Sequence, residues 1–162
     1  MKRFNLYIPT LIALCLSITP DFYAQLLEKK TISLDLAKKI AAAAEAKAIE
    51  NKLDVVISIV DESGNLIYFE RMDNAQLGSI DISIQKAKTS VLFKRPTKAY
   101  EEKVAAGNNA ILSLKDVLPF EGGIPLNVNN IQVGAVGVSG GTPQQDGMVA
   151  KAAVDFFMSL QF

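Results

Sequence analysis

Two turn sequences, each set between runs rich in β-branched residues, constrain this chain more than any other feature. The first is Glu62-Ser63-Gly64-Asn65, between Asp54 to Val60 and Leu66 to Met72. The second is Asn129-Asn130, between Ile124 to Val128 and Ile131 to Val138. Asparagine and glycine tolerate the positive φ of tight hairpin turns, so both stretches read as β-hairpins. Hairpins join neighbouring strands head to tail, so they call for an antiparallel sheet rather than parallel βαβ crossovers. In the first hairpin Val55, Ile57 and Ile59 share one face of their strand.

Helical segments surround the hairpins. Ser33 is an N-cap with Asp35 in the first turn of a helix running to about Asn51, and Ala37, Ile40, Ala41, Ala44 and Ala48 form a flat face suited to packing. Lys38, Lys39 and Lys47 belong to its solvated side. From Ser79 to Phe93, Ile80, Ile84, Ala87 and Val91 follow helical spacing. Pro96 breaks that helix, and Thr97 caps a short one ending near Gly107. Asn108 to Gly123 is loop-rich, with one short apolar run. Thr142-Pro143-Gln144-Gln145 is a capping box with proline at the first helical position, and Val149, Ala152, Ala153, Phe156, Phe157 and Leu160 make the buried stripe of the last helix. The order is helix, two strands, two helices, two or three strands, helix. This is an α+β domain in which an antiparallel sheet of about five strands is flanked by helices.

Ahead of this domain, Lys2 and Arg3 precede the apolar run Leu6 to Ile18, the pattern of a secretory signal peptide spanning residues 1–24 and cut after Ala24. The run contains Pro9 and is shorter than the roughly 20 apolar residues of a membrane span, so contact with a membrane is expected only while the peptide remains attached. Leu14 before Cys15 does not suit a lipoprotein. Residues 25–162 form the expected exported domain, periplasmic or extracellular. The whole chain has 17 basic and 17 acidic side chains, so it is not a basic nucleic-acid binder. Losing Lys2, Arg3 and Asp21 leaves 15 and 16. The exported part has no cysteine, and the chain has no histidine anywhere. Imidazole bases, Ser-His-Asp and Cys-His hydrolysis, His-ligated zinc and His-ligated haem are therefore excluded.

Several further motifs are richer than folding requires: Val60-Asp61 with Gly64, Arg71-Met72-Asp73, Lys86-Ala87 with Thr89, Pro96-Thr97, Gly122-Gly123-Ile124-Pro125, Gly134-Ala135-Val136-Gly137-Val138-Ser139-Gly140, and Asp146. In order and spacing they resemble the haem-degrading/GlcG/HbpS-type family over essentially the whole exported length. The resemblance implies a profilin-like α-β-α fold, assembly into homo-oligomers and, in some members, binding of extracellular haem. A related domain accompanies corrinoid adenosyltransferases, and other members are encoded near glycolate oxidation enzymes. Membership implies fold more firmly than activity. Roles that need imidazole do not carry over to this chain.

On that basis the candidate ligand-binding residues are Arg71, Met72, Asp73, Phe93, Thr97, Tyr100, Gly122, Gly123, Pro125 and Ser139. Arg71 is a bidentate clamp for a ligand carboxylate or the partner of Asp73. Lys94 and Arg95 could hold a propionate, or could serve the helix dipole as last-turn cations. Iron could be held by Met72 as a thioether, by Tyr68 or Tyr100 as a phenolate, by Thr97, or by no protein ligand. Phe93 and Tyr100 offer an apolar ring for stacking. Met72 as core filler and Thr97 as a simple N-cap are the competing structural readings. Ser139 lies in no nucleophile elbow, and the glycines form neither a GxGxxG unit nor a Walker loop. A strand written Gly-Ala-Val-Gly-Val admits a flat ligand, another backbone or a neighbouring subunit. Asp146 serves the helix dipole by default, and with Asp61 and Asp73 could make an acid/base or hard-cation set, although nothing local spaces them as one.

The expected function is an exported, oligomeric binding protein for haem or a similar planar ligand, with no catalytic set of its own. The alternative is an enzyme or enzyme subunit acting on a small carboxylate or corrinoid, with Arg71 as anion clamp.

Overall fold

The computed structural model describes residues 28–162. The leader, its cleavage point and Cys15 lie outside them. Helix α1, Leu34–Glu50, starts where Leu36 N donates to Ser33 Oγ at 3.3 Å, and its alanine face is fully buried as expected. Strands β1, Val56–Asp61, and β2, Leu66–Arg71, form the first hairpin. Helix α2 spans Ser79–Leu92 and α3 spans Lys98–Ala105, followed by a 3-10 turn at Asn109–Ser113. Strands β3, Gly123–Val128, and β4, Ile131–Ser139, form the second hairpin, and α4 covers Pro143–Met158.

The sheet is antiparallel with order β2-β1-β4-β3, so β2 and β3 are its edges. It has four strands rather than about five. The apolar run Ile111–Leu114 is too short to pair and is taken up by the 3-10 turn and the residue after it, with Leu112 and Leu114 left exposed. Helices α1 and α4 pack together over one face against Val55, Ile57, Ile59, Leu126, Val136 and Val138. Helix α2 covers the other face of β1, β4 and β3. Among the described residues no helix is long and apolar enough to cross a membrane.

The local signals behave as the sequence predicts. Asn129 and Asn130 both take positive φ, at 50° and 65°, which closes the second hairpin with a turn whose twist matches its strands. Thr142 and Gln145 complete the reciprocal capping box at α4. In the first turn the Asp61 carboxylate accepts from Ser63 N at 2.9 Å, Asn65 N at 2.8 Å and Asn65 Nδ2 at 2.9 Å. Burial pushes this carboxyl up, but the Asn65 side chain and the Asn65, Ser63 and Gly64 amides together hold it below its usual 3.8. An acid with a depressed folded pKa stabilises the fold above its unfolded value and loses that contribution as pH falls through the folded one. Urea midpoints measured below about pH 4 should therefore fall with pH in the native chain, and fall less steeply in Asp61→Asn.

Helix α2 departs from expectation. Of the expected row Ala87 and Val91 are buried, but Ile80 and Ile84 are only half-buried, and Ser79, Ser83, Lys86 and Ser90 are buried in addition. The reason lies in the strands beneath. Ser58 pairs with Gly137, and Gly137 with Gly123, so this row of the sheet is nearly bare of side chains. A Cβ on Gly137 would run into Ser83 O and come within 2.6 Å of Ala87 N. The helix thus lies backbone-close on the sheet, with Ser58 Oγ and Ser83 Oγ 2.7 Å apart. Only small side chains, Ser83 and Ala87, fit over this bare row, and the larger isoleucines turn away.

Candidate functional site

The candidate residues fall into two groups on opposite edges of the sheet. Arg71 ends β2, and Met72 and Asp73 follow it. Thr97, Gly122, Gly123 and Pro125 gather on β3, with Phe93 and Tyr100 at the α2–α3 corner. Three strand spacings, about 14 Å, separate the two edges. Ser139 lies between them, in register with Val56, which pairs in turn with Arg71.

At the β2 edge Arg71 and Asp73 are both exposed, and no ion pair joins them. Met72 is half-buried against the core, and its Sδ accepts Val55 N at 3.5 Å. Tyr68 OH donates to Glu70 Oε2 at 2.9 Å, and that bond, more than burial, raises the phenol above its usual 10.

Thr97 stands at the start of α3 but makes no side-chain cap, which corrects the N-cap reading. It is 0 % exposed, its Oγ1 accepts Gly123 N at 2.9 Å, and its own N–H donates to Gly123 O at 3.0 Å. The hydroxyl nominated as a metal contact is thus occupied in fastening β3. Lys94 and Arg95 lie just beyond the last turn of α2, Lys94 with a left-handed φ of 54°, and Arg95 Nε donates to the C-cap carbonyl, Phe93 O, at 3.2 Å, as a cation at a helix C-terminus does. The Arg95 guanidinium also sits 5.7 Å from the centre of the Tyr100 ring, with Lys103 Nζ at 6.0 Å. Phe93 meets the same ring edge-on at 5.7 Å. Tyr100 is buried and Phe93 half-buried, which makes this corner an aromatic patch ringed by exposed cations.

Sequence reasoning missed the most buried charges. Lys86 Nζ donates to Asp146 Oδ2 at 2.7 Å and to Val138 O at 3.0 Å, and both side chains of the pair are under 4 % exposed. Asp146 Oδ1 accepts Gly141 N at 2.8 Å. Burial pushes the Asp146 carboxyl above its usual 3.8 against the opposing pull of Lys86 and the Gly141 and Gly140 amides. Asp146 therefore does more than serve the helix dipole. Gly122 packs against this pair at φ 128°, and any side chain there would press on Val138 O, Asp146 Cβ and Lys86 Nζ. Gly122 O in turn accepts Val138 N at 2.9 Å. One knot of contacts thus joins α2, β3, β4, α3 and α4 behind the β3 edge. A signal for it was present: Lys86 stands alone in a helical row of small residues, Ser79, Ser83, Ala87 and Ser90. Asp61, Asp73 and Asp146 do not converge, and the described residues contain no cluster of metal-ligating side chains.

The family model for haem degrading protein HbpS-like matches residues 32–155. The chain belongs to this family. It is 41% identical over 134 residues to an uncharacterized 15.0 kDa protein from the dhaT-dhaS intergenic region of Citrobacter freundii, a match covering 80% of this chain and 94% of that one. The crystal structure of Klebsiella pneumoniae protein ORFY superposes with a TM-score of 0.79 at 37% identity, covering 87% of this HbpS-like chain and all of the other. A PduOC:haem complex superposes with a TM-score of 0.70 at 31% identity, covering 77% and 94%.

Proposed function

We propose that this HbpS-like protein is an exported, homo-oligomeric binding protein for haem or a similar planar tetrapyrrole-like ligand, without catalysis of its own. The observation that carries the reading is the likeness to the PduOC:haem complex across nearly the whole of that chain. The α2–α3 corner supplies fitting chemistry: the half-buried ring of Phe93, seated edge-on against the buried Tyr100, for a flat ligand, with Lys94, Arg95 and Lys103 for its carboxylates. At the other edge Arg71 presents an exposed guanidinium. The residues proposed for axial ligation fit less well. Thr97 and Met72 are engaged with backbone amides, and Tyr68 with Glu70.

Export rests on the N-terminal pattern of two cations and an apolar run. Oligomer formation is supported by the exposed apolar side chains Leu77, Ile82, Leu92, Leu112 and Phe120 on α2 and the segments flanking it.

Titrating the exported chain with haemin tests the reading. A saturable Soret change at low micromolar protein, weakened about tenfold by Arg95→Ala with Lys103→Ala, is the expected result. No saturable change rules haem out as the ligand. Light scattering after size exclusion reads the assembly, for which a monomer is the refuting mass.

A further inference from the structure

We infer that the chain recognises its tetrapyrrole by the flat face and the carboxylates, not by an axial bond to a central metal, so that metal-free porphyrin binds as well as haem. The inference rests on the binding function proposed above.

An axial ligand needs a lone pair that faces the ligand and is not already bonded. Histidine is absent from the chain, and the single cysteine, Cys15, falls in the segment assigned to the leader. The side chains nominated to hold iron, Thr97, Met72, Tyr68 and Tyr100, are each bonded to another group or buried, and Glu70 Oε1, which has no partner, is buried as well. Thr97 Oγ1 is buried and accepts Gly123 N. Met72 Sδ points inward at Val55 N. Tyr68 donates its proton to Glu70, which opposes the phenolate that iron takes from tyrosine. Tyr100 is 5% exposed, between Phe93 and two cations. The Lys86 ammonium has no lone pair and is closed in by Asp146 and Val138 O. Met148 packs against the core. Met158 does expose its thioether, but beside Asn127, Val128 and Asn129, at the end of β3 opposite to Gly123 and Thr97.

The groups that would greet a ligand's carboxylates are open. Arg71, Lys94, Arg95 and Lys103 are all exposed, and Arg95 and Lys103 lie against the Tyr100 ring beside Phe93. Affinity from stacking and charge-assisted hydrogen bonds is indifferent to what occupies the porphyrin centre.

The experiment titrates the exported chain with haemin and, separately, with protoporphyrin IX, reading tyrosine fluorescence and the Soret band. The inference expects dissociation constants within about threefold of each other, bound haemin without a low-spin spectrum, and no change beyond that margin in Met72→Leu. Arg95→Ala with Lys103→Ala should weaken both ligands alike. Haemin binding about tenfold or more tighter than the free porphyrin, with a low-spin spectrum, overturns the inference and leaves the proposed function standing. Binding of neither ligand removes both.

Discussion

Replacing Lys86 with alanine is expected to lower the unfolding free energy by about 3–5 kcal/mol, because it strands the Asp146 carboxylate inside the protein. Asp146→Ala should cost a similar amount by stranding the ammonium. Either loss is a large part of the roughly 5–15 kcal/mol that holds a domain of this size together. The magnitude follows from burial, since both side chains are under 4 % exposed and water cannot replace the missing partner. The pair's own contribution is a separate quantity, because desolvating two charges offsets most of their attraction. Lys86→Met combined with Asp146→Asn should therefore recover most of the loss, the amide still accepting Gly141 N as the carboxylate does at 2.8 Å. Urea unfolding of Lys86→Met, Asp146→Asn and the variant carrying both makes a thermodynamic cycle that isolates the coupling. Additive losses would show that the two side chains act independently.

The second large effect is expected at Gly137. Strands disfavour glycine, so alanine there should help by propensity alone. Space decides the opposite sign. The new Cβ would meet Ser83 O and Ala87 N, which are helix backbone and cannot swing aside as a side chain does. Helix α2 must lift from the sheet, pulling apart the Ser58–Ser83 hydroxyl pair at 2.7 Å. We expect a loss of about 3 kcal/mol, the upper part of the overpacking range, and faster amide exchange in α2. Gly78→Ala is the matched control. Nothing stands within 4 Å of its Cβ position and its φ is −61°, so it should leave stability unchanged or raise it by about 0.4–1 kcal/mol through the unfolded state. A Gly137→Ala variant as stable as the native chain would mean that α2 is not held backbone-close.

The contrast between these two glycines shows how much of the molecule was legible in one dimension. Caps and turns were, because the groups that make them are three or four residues apart: Ser33 with Leu36, Thr142 with Gln145, Asp61 with Asn65. So was the alanine face of α1, whose period alone marks its buried side. Helix α2 was legible as a helix but only partly in its orientation, Ala87 and Val91 being buried as its spacing required. Its apolar spacing pointed to Ile80 and Ile84, while its contact surface is chosen by glycine and serine on strands far away in sequence. At the candidate site, Phe93 and Tyr100 do meet as aromatic neighbours. Thr97 was read as a cap because cap residues are defined locally, whereas its hydroxyl bonds Gly123, 26 residues on.

By itself the sequence determined the kinds of element, their order, the antiparallel hairpins and the chemistry the chain lacks. Each follows from local backbone preference or from the presence of a residue type. The tertiary structure alone decided which face of α2 is buried, that the sheet stops at four strands, and that Lys86 and Asp146, 60 residues apart, share one buried pair. Those outcomes turn on the shape of the opposing surface and on the cost of leaving a polar group unpaired away from water, and both exist only once distant segments have met.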